Sequence, residues 1–224
     1  MRNLLPITLG VRRKSGAEFL SRPAKPPPPD AVWRQDDFVC QFCGFRAEKF
    51  QRTVQGAWAG HERAALTACI FCEQCFTLEN VGIVGSGYLV WLPEMSQAEL
   101  HHLCRAIYVA RAQGRQELLA SRAQAALDSL LSRRAEAKKR LGSDEPLLLG
   151  TALLENLSAE EYQAREKKLA GIRLLPLNRR LGATRGEGGA TDQFPAILDY
   201  WMSPRGPFAG APVDGWIRQF PAAS

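Results

Sequence analysis

Cys40-Gln41-Phe42-Cys43-Gly44 and, 25 residues intervening between Cys43 and Cys69, Cys69-Ile70-Phe71-Cys72-Glu73-Gln74-Cys75 are the stretches that decide how this 224-residue chain is built. Two residues between cysteines let both sulfurs point to one metal ion, and Gly44 permits the tight turn that follows. The second stretch is a pair of overlapping C-x-x-C units. Two such pairs at this separation are the pattern of a tetrahedral four-thiolate site, with zinc as its usual occupant. Cys40 and Cys43 form the first pair. The second is drawn from Cys69, Cys72 and Cys75, and Cys72 belongs to either choice. Redox C-x-x-C pairs occur singly and need no partner knuckle. Four thiolates close the coordination sphere, so the expected ion is structural, and any catalysis would need another residue beside it.

Working outward, the remaining composition fits this reading. Five of the six cysteines fall between positions 40 and 75. Met1 to Gly10 has no long apolar core of a signal peptide. No run approaches the roughly 20 apolar residues needed to span a bilayer. A reducing cytoplasm is therefore expected, where clustered cysteines hold metals rather than disulfides. The net charge of +6 is concentrated in the stretch up to Arg34, in Arg2, Arg12, Arg13, Lys14, Arg22, Lys25 and Arg34 against Glu18 and Asp30. A local excess of this kind suits nucleic acid, an acidic protein or anionic lipid equally well.

Four segments follow from the punctuation. Residues 1–34 form a basic, Pro-rich arm, extended at Pro26 to Pro29, with an apolar opening (Leu4, Leu5, Ile7, Leu9, Val11) suited to an added strand. Residues 35–95 form the cysteine module, closing on a buried strand, Tyr88-Leu89-Val90-Trp91-Leu92. Gly82, Gly85 and Gly87 before it read as a glycine-rich hairpin, since a phosphate loop needs a strand, a different glycine order and a helix. Residues 96–181 are helical. Ser96-Gln97-Ala98-Glu99 and Ser158-Ala159-Glu160-Glu161 are capping boxes, and a long helix carrying Leu118, Leu119, Ala126, Leu127, Leu130 and Leu131 runs to Gly142. A further helix starts near Pro146. Cys104 lies on an apolar helix face and reads as core. Residues 182–224 form a Gly/Pro/aromatic tail with two short helices, one bearing Tyr200 and Trp201, the other Trp216 and Phe220. These aromatics either strap the tail to the body or anchor a partner.

A C-x-x-C, a hairpin and then a helix-leading C-x-x-C resemble the zinc-stapled ββα-metal (HNH) nuclease module. The resemblance places the second pair at Cys69 and Cys72, with Cys75 possible in place of Cys69. Active modules carry a His on the hairpin and an Asn about five residues before the second pair. This chain has no His from Phe45 to Gln55 and has Ala64 at the Asn position. His61 stands alone in a loop and reads as a surface residue. His101 and His102 fall on a later helix, away from the motif. The module is degenerate in its catalytic set.

The blocks Phe38 to Phe45, Leu66 to Phe76, Glu79-Asn80-Val81-Gly82, Leu92 to Leu100 and Ile172-Arg173-Leu174-Leu175-Pro176 look more specifically like the IcmJ/DotN family, over about positions 33 to 178. That resemblance implies a component of the bacterial type IVB (Dot/Icm) secretion apparatus with an HNH-like zinc fold and no nuclease activity. It implies binding to the C-terminal region of the coupling ATPase DotL, in a complex that recruits substrates through IcmS–IcmW chaperones at the inner face of the inner membrane. The expected fold is α+β, a zinc module packed with several helices and an extended C-terminal tail. The competing readings are an HNH-type nuclease and a basic nucleic-acid-binding protein. Both the arm and the tail after Leu181 lie outside the resemblance.

Overall fold

The computed structural model describes residues 4–12, 28–56, 63–113, 117–182 and 191–209. His61, Trp216, Phe220 and most of the basic arm lie outside them. The fold is α+β, with helices packed around three two-stranded antiparallel ribbons.

Helix α1 (Pro29–Gln35) begins inside the proline run. Pro28 is extended (ψ 134°), whereas Pro29 occupies the first helical turn, where a missing N–H costs nothing. Just past its end, the Asp36 carboxylate receives the Arg63 guanidinium at 2.6 Å and the Thr67 N–H at 2.8 Å. That buried carboxylate ties α1 to the ribbon of β1 (Arg52–Gln55) and β2 (Ala65–Ala68), in which Val54 faces Leu66. One residue beyond β2, Cys69 caps α2 (Ile70–Cys75). Cysteine knuckle, hairpin and helix thus follow one another directly.

Next come α3 (Leu78–Val84) and β3 (Gly87–Trp91). The expected glycine hairpin resolves into a helix, a left-handed cap at Gly85 (φ 65°) and a strand start. Helix α4 (Gln97–Ala112) opens with the Ser96/Glu99 capping box, both reciprocal bonds formed. The long helix expected up to Gly142 is two helices, α5 (Glu117–Ser132) and α6 (Arg134–Leu141). At the break, the Arg133 carbonyl accepts the Trp91 N–H of β3, which turns the chain across the strand. The basic run beyond it serves packing in part, because Arg134 lies 3.4 Å over the Tyr88 ring and Arg140 3.6 Å over Trp91. Helix α7 (Pro146–Glu155) starts at its proline, and α8 (Ala159–Gln163) at the Ser158 capping box. A short α9 (Arg165–Lys168) then leads to β4 (Ile172–Pro176).

Strand β4 falls inside the segment expected to be helical. It pairs with β3, Leu89 opposite Leu174. A short apolar run does not distinguish a buried strand from a helix turn; the pairing with β3 decides it. The pair β5 (Leu181–Gly182) and β6 (Thr191–Asp192) precedes α10 (Phe194–Met202), the aromatic helix foreseen at Tyr200 and Trp201.

The apolar opening does not become a strand. It runs extended over the body, donating Leu5 N–H to the Gln41 carbonyl and Gly10 N–H to the Cys75 carbonyl. Leu5 enters one hydrophobic cluster, built by the cysteine module, α4, α5 and α10. Leu9 and Val11 enter a second, built by α3, β3, β4 and α7.

Two glycines separate the cost of a left-handed backbone from that of crowding. Gly142 (φ 79°) faces open space, whereas a Cβ on Gly171 (φ 80°) would land in the indole of Trp91. Gly142→Ala should cost about 1 kcal/mol, from backbone strain alone. Gly171→Ala should cost at least about 2 kcal/mol, because overpacking is added. Denaturant unfolding of the two variants checks the ranking.

Candidate metal centre

Sulfur geometry begins with backbone. The knuckle turn is closed by Gly44 N–H to the Cys40 carbonyl and Cys40 N–H to the Phe45 carbonyl, both 2.9 Å, with Gly44 at φ 76°. Gln41 N–H donates to the Thr67 carbonyl, which docks the knuckle on β2. On the facing side Cys69, extended at ψ 165°, caps α2, its sulfur accepting the Cys72 N–H at 3.4 Å. The helix therefore aims Cys69 and Cys72 at the knuckle.

The result is one buried group of four thiols, Cys40, Cys43, Cys69 and Cys72, whose sulfurs all lie within 4.8 Å of one another. Four sulfurs about 2.3 Å from a shared zinc-sized ion stand about 3.8 Å apart. Sγ of Cys43 and Sγ of Cys69 are 3.7 Å apart. No disulfide joins these cysteines. The group could hold one metal ion. Cys75 is outside it: its sulfur faces the Phe71 carbonyl and His101 Nε2, each at 3.7 Å. Cys104 is buried in the core, and burial pushes its thiol up to about 12.

Helix α4 supplies the surround. The Gln97 carboxamide is oriented by β4, its oxygen accepting the Leu174 N–H and its nitrogen donating to the Leu174 carbonyl. That nitrogen also lies 2.9 Å from His101 Nε2, so Nε2 accepts and the proton sits on Nδ1. Nδ1 is 3.3 Å from Sγ of Cys72 and donates to it. Burial lowers His101 to about 3, which keeps the ring neutral. His102 is lowered to about 4, by burial first and then by Arg105. Its Nε2 bonds the Cys43 carbonyl at 2.8 Å, and Nδ1 accepts from Arg105 at 3.3 Å.

Arg105 is the group that sequence reasoning missed. Fully buried, its guanidinium donates to Sγ of Cys69 at 2.7 Å and to Sγ of Cys43 at 3.6 Å. Its carbon lies 4.0 Å over the Phe45 ring. Burial alone would depress such a cation, but the surrounding thiols outweigh it and raise its pKa. Burial also raises the Cys69 thiol, yet hydrogen bonds from Cys40, Cys43 and Cys72, together with the Arg105 charge, bring it well below its ordinary value. Cys40 and Cys72 are pushed up, by burial first. Four crowded thiols cannot all ionise on their own, and a divalent cation is what lets them do so.

His101 and His102, expected away from the motif, are brought against it by the fold. A signal for His101 and Arg105 was present, because they recur with Cys104 and Tyr108 at helical spacing, whereas His102 lies off that stripe. Of the aromatic residues expected to meet a partner, Trp201 is 1% exposed and packs against Phe45, Phe71, Phe194 and Phe208, so its role here is intramolecular. Tyr200 is half-buried and accepts the Glu48 N–H at 2.9 Å through its hydroxyl.

No protein-family profile matches the chain. Among curated proteins it is similar to the type 4 apparatus protein DotN of Legionella pneumophila subsp. pneumophila (strain Philadelphia 1). The two are 34% identical over 151 residues, which cover 65% of this chain and 70% of that protein.

Cys40→Ser or Cys72→Ser should abolish binding of one divalent ion per chain, while Cys75→Ser and Cys104→Ser should retain it; elemental analysis of the four purified variants checks this. Arg105→Met should lower the stability of the metal-loaded protein by about 3 kcal/mol or more, since it strips a buried thiolate of its cation. Denaturant titration with the metal held in excess measures that loss.

Proposed function

This chain belongs to the DotN family, and from that premise we propose that it is a non-catalytic, zinc-stapled scaffold subunit of a bacterial type IV secretion coupling complex. The observation that carries the reading is the match to DotN over 70% of that protein's length. The proposed ligands are Cys40, Cys43, Cys69 and Cys72, the four thiols that lie together. An all-thiolate, buried set favours zinc over harder divalent ions. Bound there, zinc contributes folding free energy to a module of short elements, and four sulfurs leave it no position for water.

The order of β1, β2 and α2 is that of a ββα-metal module. We read it as an HNH-like fold retained for its shape. Ala64 occupies the position where an active module needs a polar side chain, and no histidine lies on either hairpin strand. Buried His101 points at Cys72 and half-buried His102 at the Cys43 carbonyl, as supports for the sulfur group rather than activators of water.

The proposed partner is the C-terminal region of the coupling ATPase, in an assembly that also holds IcmS–IcmW-like chaperones and gathers substrates for export. No helix among the described residues is long and apolar enough to cross a membrane. The subunit would then work in the cytoplasm and meet the inner membrane only through its partners. Trp216 and Phe220 in the tail, with half-buried Tyr200, remain proposed contacts.

The test is a paired measurement on the full chain. One zinc per chain and capture of the ATPase C-terminal region, both lost in Cys40→Ser, are the expected results. Magnesium-dependent cleavage of DNA, abolished in the same variant and with no ATPase captured, would replace the scaffold with a nuclease.

A further inference from the structure

The four thiols of the metal centre belong to one hydrophobic cluster, and so do Phe194, Ile197, Trp201 and Phe208 of the α10 segment, residues 191–209. The second cluster holds Leu78 and Val81 of α3, Leu89 and Leu174 of the β3/β4 ribbon and Leu153 of α7, and contains none of the four thiols. Contacts between α10 and the sulfur group run through residues next to the cysteines. Phe45 follows the knuckle glycine, and its ring centre is 5.7 Å from that of Trp201 and 6.3 Å from that of Phe208. Phe71 lies between Cys69 and Cys72, edge-on to Trp201 at 5.8 Å and stacked with Phe194 at 6.4 Å.

Polar anchors join the same two parts. Glu73, the residue after Cys72, accepts from the Arg180 guanidinium at 2.7 Å, with both side chains largely buried. Arg180 is itself tied to the segment, because its N–H donates to the Asp192 carboxylate and its carbonyl accepts the Gln193 N–H. Arg52 of β1 donates to the Gln193 carboxamide oxygen at 3.5 Å, and the Glu48 N–H donates to the Tyr200 hydroxyl. Away from the cysteine module, Phe194 also meets Tyr108 of α4. Phe45, Phe71 and Glu73 are thus positioned by the two backbone segments that a bound ion would join. Ion binding and the packing of α10 favour one arrangement of knuckle and α2, and two events that favour one arrangement favour each other.

We propose that the α10 segment is a metal-gated strap, docked while the four thiols hold an ion and released when the ion is lost. Helices α3 and α7 and the β3/β4 ribbon stay folded through the change. The proposal rests on the zinc-stapled reading above. Release bares Phe45 and Phe71 on the body and Phe194 and Trp201 on the strap, an aromatic surface of the kind other proteins bind. Metal supply thereby sets whether this face is closed or open. By reciprocity, a docked strap tightens metal binding.

Hydrogen exchange of the full chain, zinc-loaded and after EDTA treatment, tests this, with metal content read by elemental analysis in each state. Zinc removal should speed exchange in residues 194–202 by at least about tenfold and change it less than about twofold in 87–91 and 172–176. Trp201→Ala should still take up one zinc but bind it at least about fivefold more weakly in competition with a chelator. Leu153→Ala, a core truncation in the second cluster, should alter zinc affinity less than about twofold. Phe208→Ala, outside the helix, replaces Trp201→Ala if that variant does not fold. Loss of protection in all three segments together means that the ion holds the whole molecule, and overturns the strap. Unchanged exchange in 194–202 after zinc has left, or equal zinc affinities in the strap variant and Leu153→Ala, also overturns it and leaves the zinc-stapled reading standing. An unsubstituted chain that takes up no zinc overturns both.

Discussion

A guanidinium in contact with thiolate sulfur, away from solvent, is the interaction on which most of this structure turns. Arg105 cannot be buried without an anion, and Cys69 and Cys43 are the anions it has. Neither side is stable there alone, since an uncompensated charge in a dry interior costs several kcal/mol. Everything that holds the two together thereby becomes structural: the Phe45 and Phe71 rings that sandwich the guanidinium, the knuckle turn, the cap of α2, and α4 itself. The sulfur group is thus the meeting point of three elements distant in sequence. Its neutral neighbours complete the arrangement, with His101 held in one tautomer by a chain of bonds that begins on the backbone of β4.

That arrangement also explains why the aromatic helix α10 lies where it does. Trp201 and Phe194 cover Phe71, and Phe208 covers Phe45, so the rings that face Arg105 are themselves roofed by the C-terminal part of the chain. An aromatic segment that sequence alone leaves free to strap the body or to meet a partner takes the first course at Trp201. Trp201 is core, and Tyr200 beside it keeps part of its ring at the surface.

Features written in short-range chemistry were legible in the sequence. Both capping boxes, the start of α7 at Pro146 and strand β3 depend on spacing within a few residues, and each is found where spacing puts it, whereas spacing left the second cysteine pair open among Cys69, Cys72 and Cys75. What was not legible depended on partners far along the chain. Strand β4 is a strand because β3 lies beside it; the α5–α6 break falls where the Arg133 carbonyl also accepts a β3 amide. His101, His102 and Arg105 looked remote from the cysteines because their approach is made by helix packing; the spacing of His101 and Arg105 marks an inward face but not what that face meets. The close packing of α3 on α7 was hidden for the same reason, as Gly82 reads like a turn glycine until Leu147 is seen against it.

The extended opening segment has one more consequence, for how the molecule is assembled in time. Residues 4–12 are made well before their partners, since the Leu9 carbonyl waits for Arg165, and the Val11 amide and carbonyl wait for the Tyr162 hydroxyl, more than 150 positions later. Because Leu5 belongs to one hydrophobic cluster and Leu9 and Val11 to the other, this thread cannot settle until both exist. Closing so long a loop is entropically costly and slow compared with local helix formation. Residues 4–12 are therefore expected to dock late, and their docking ties the two hydrophobic clusters together.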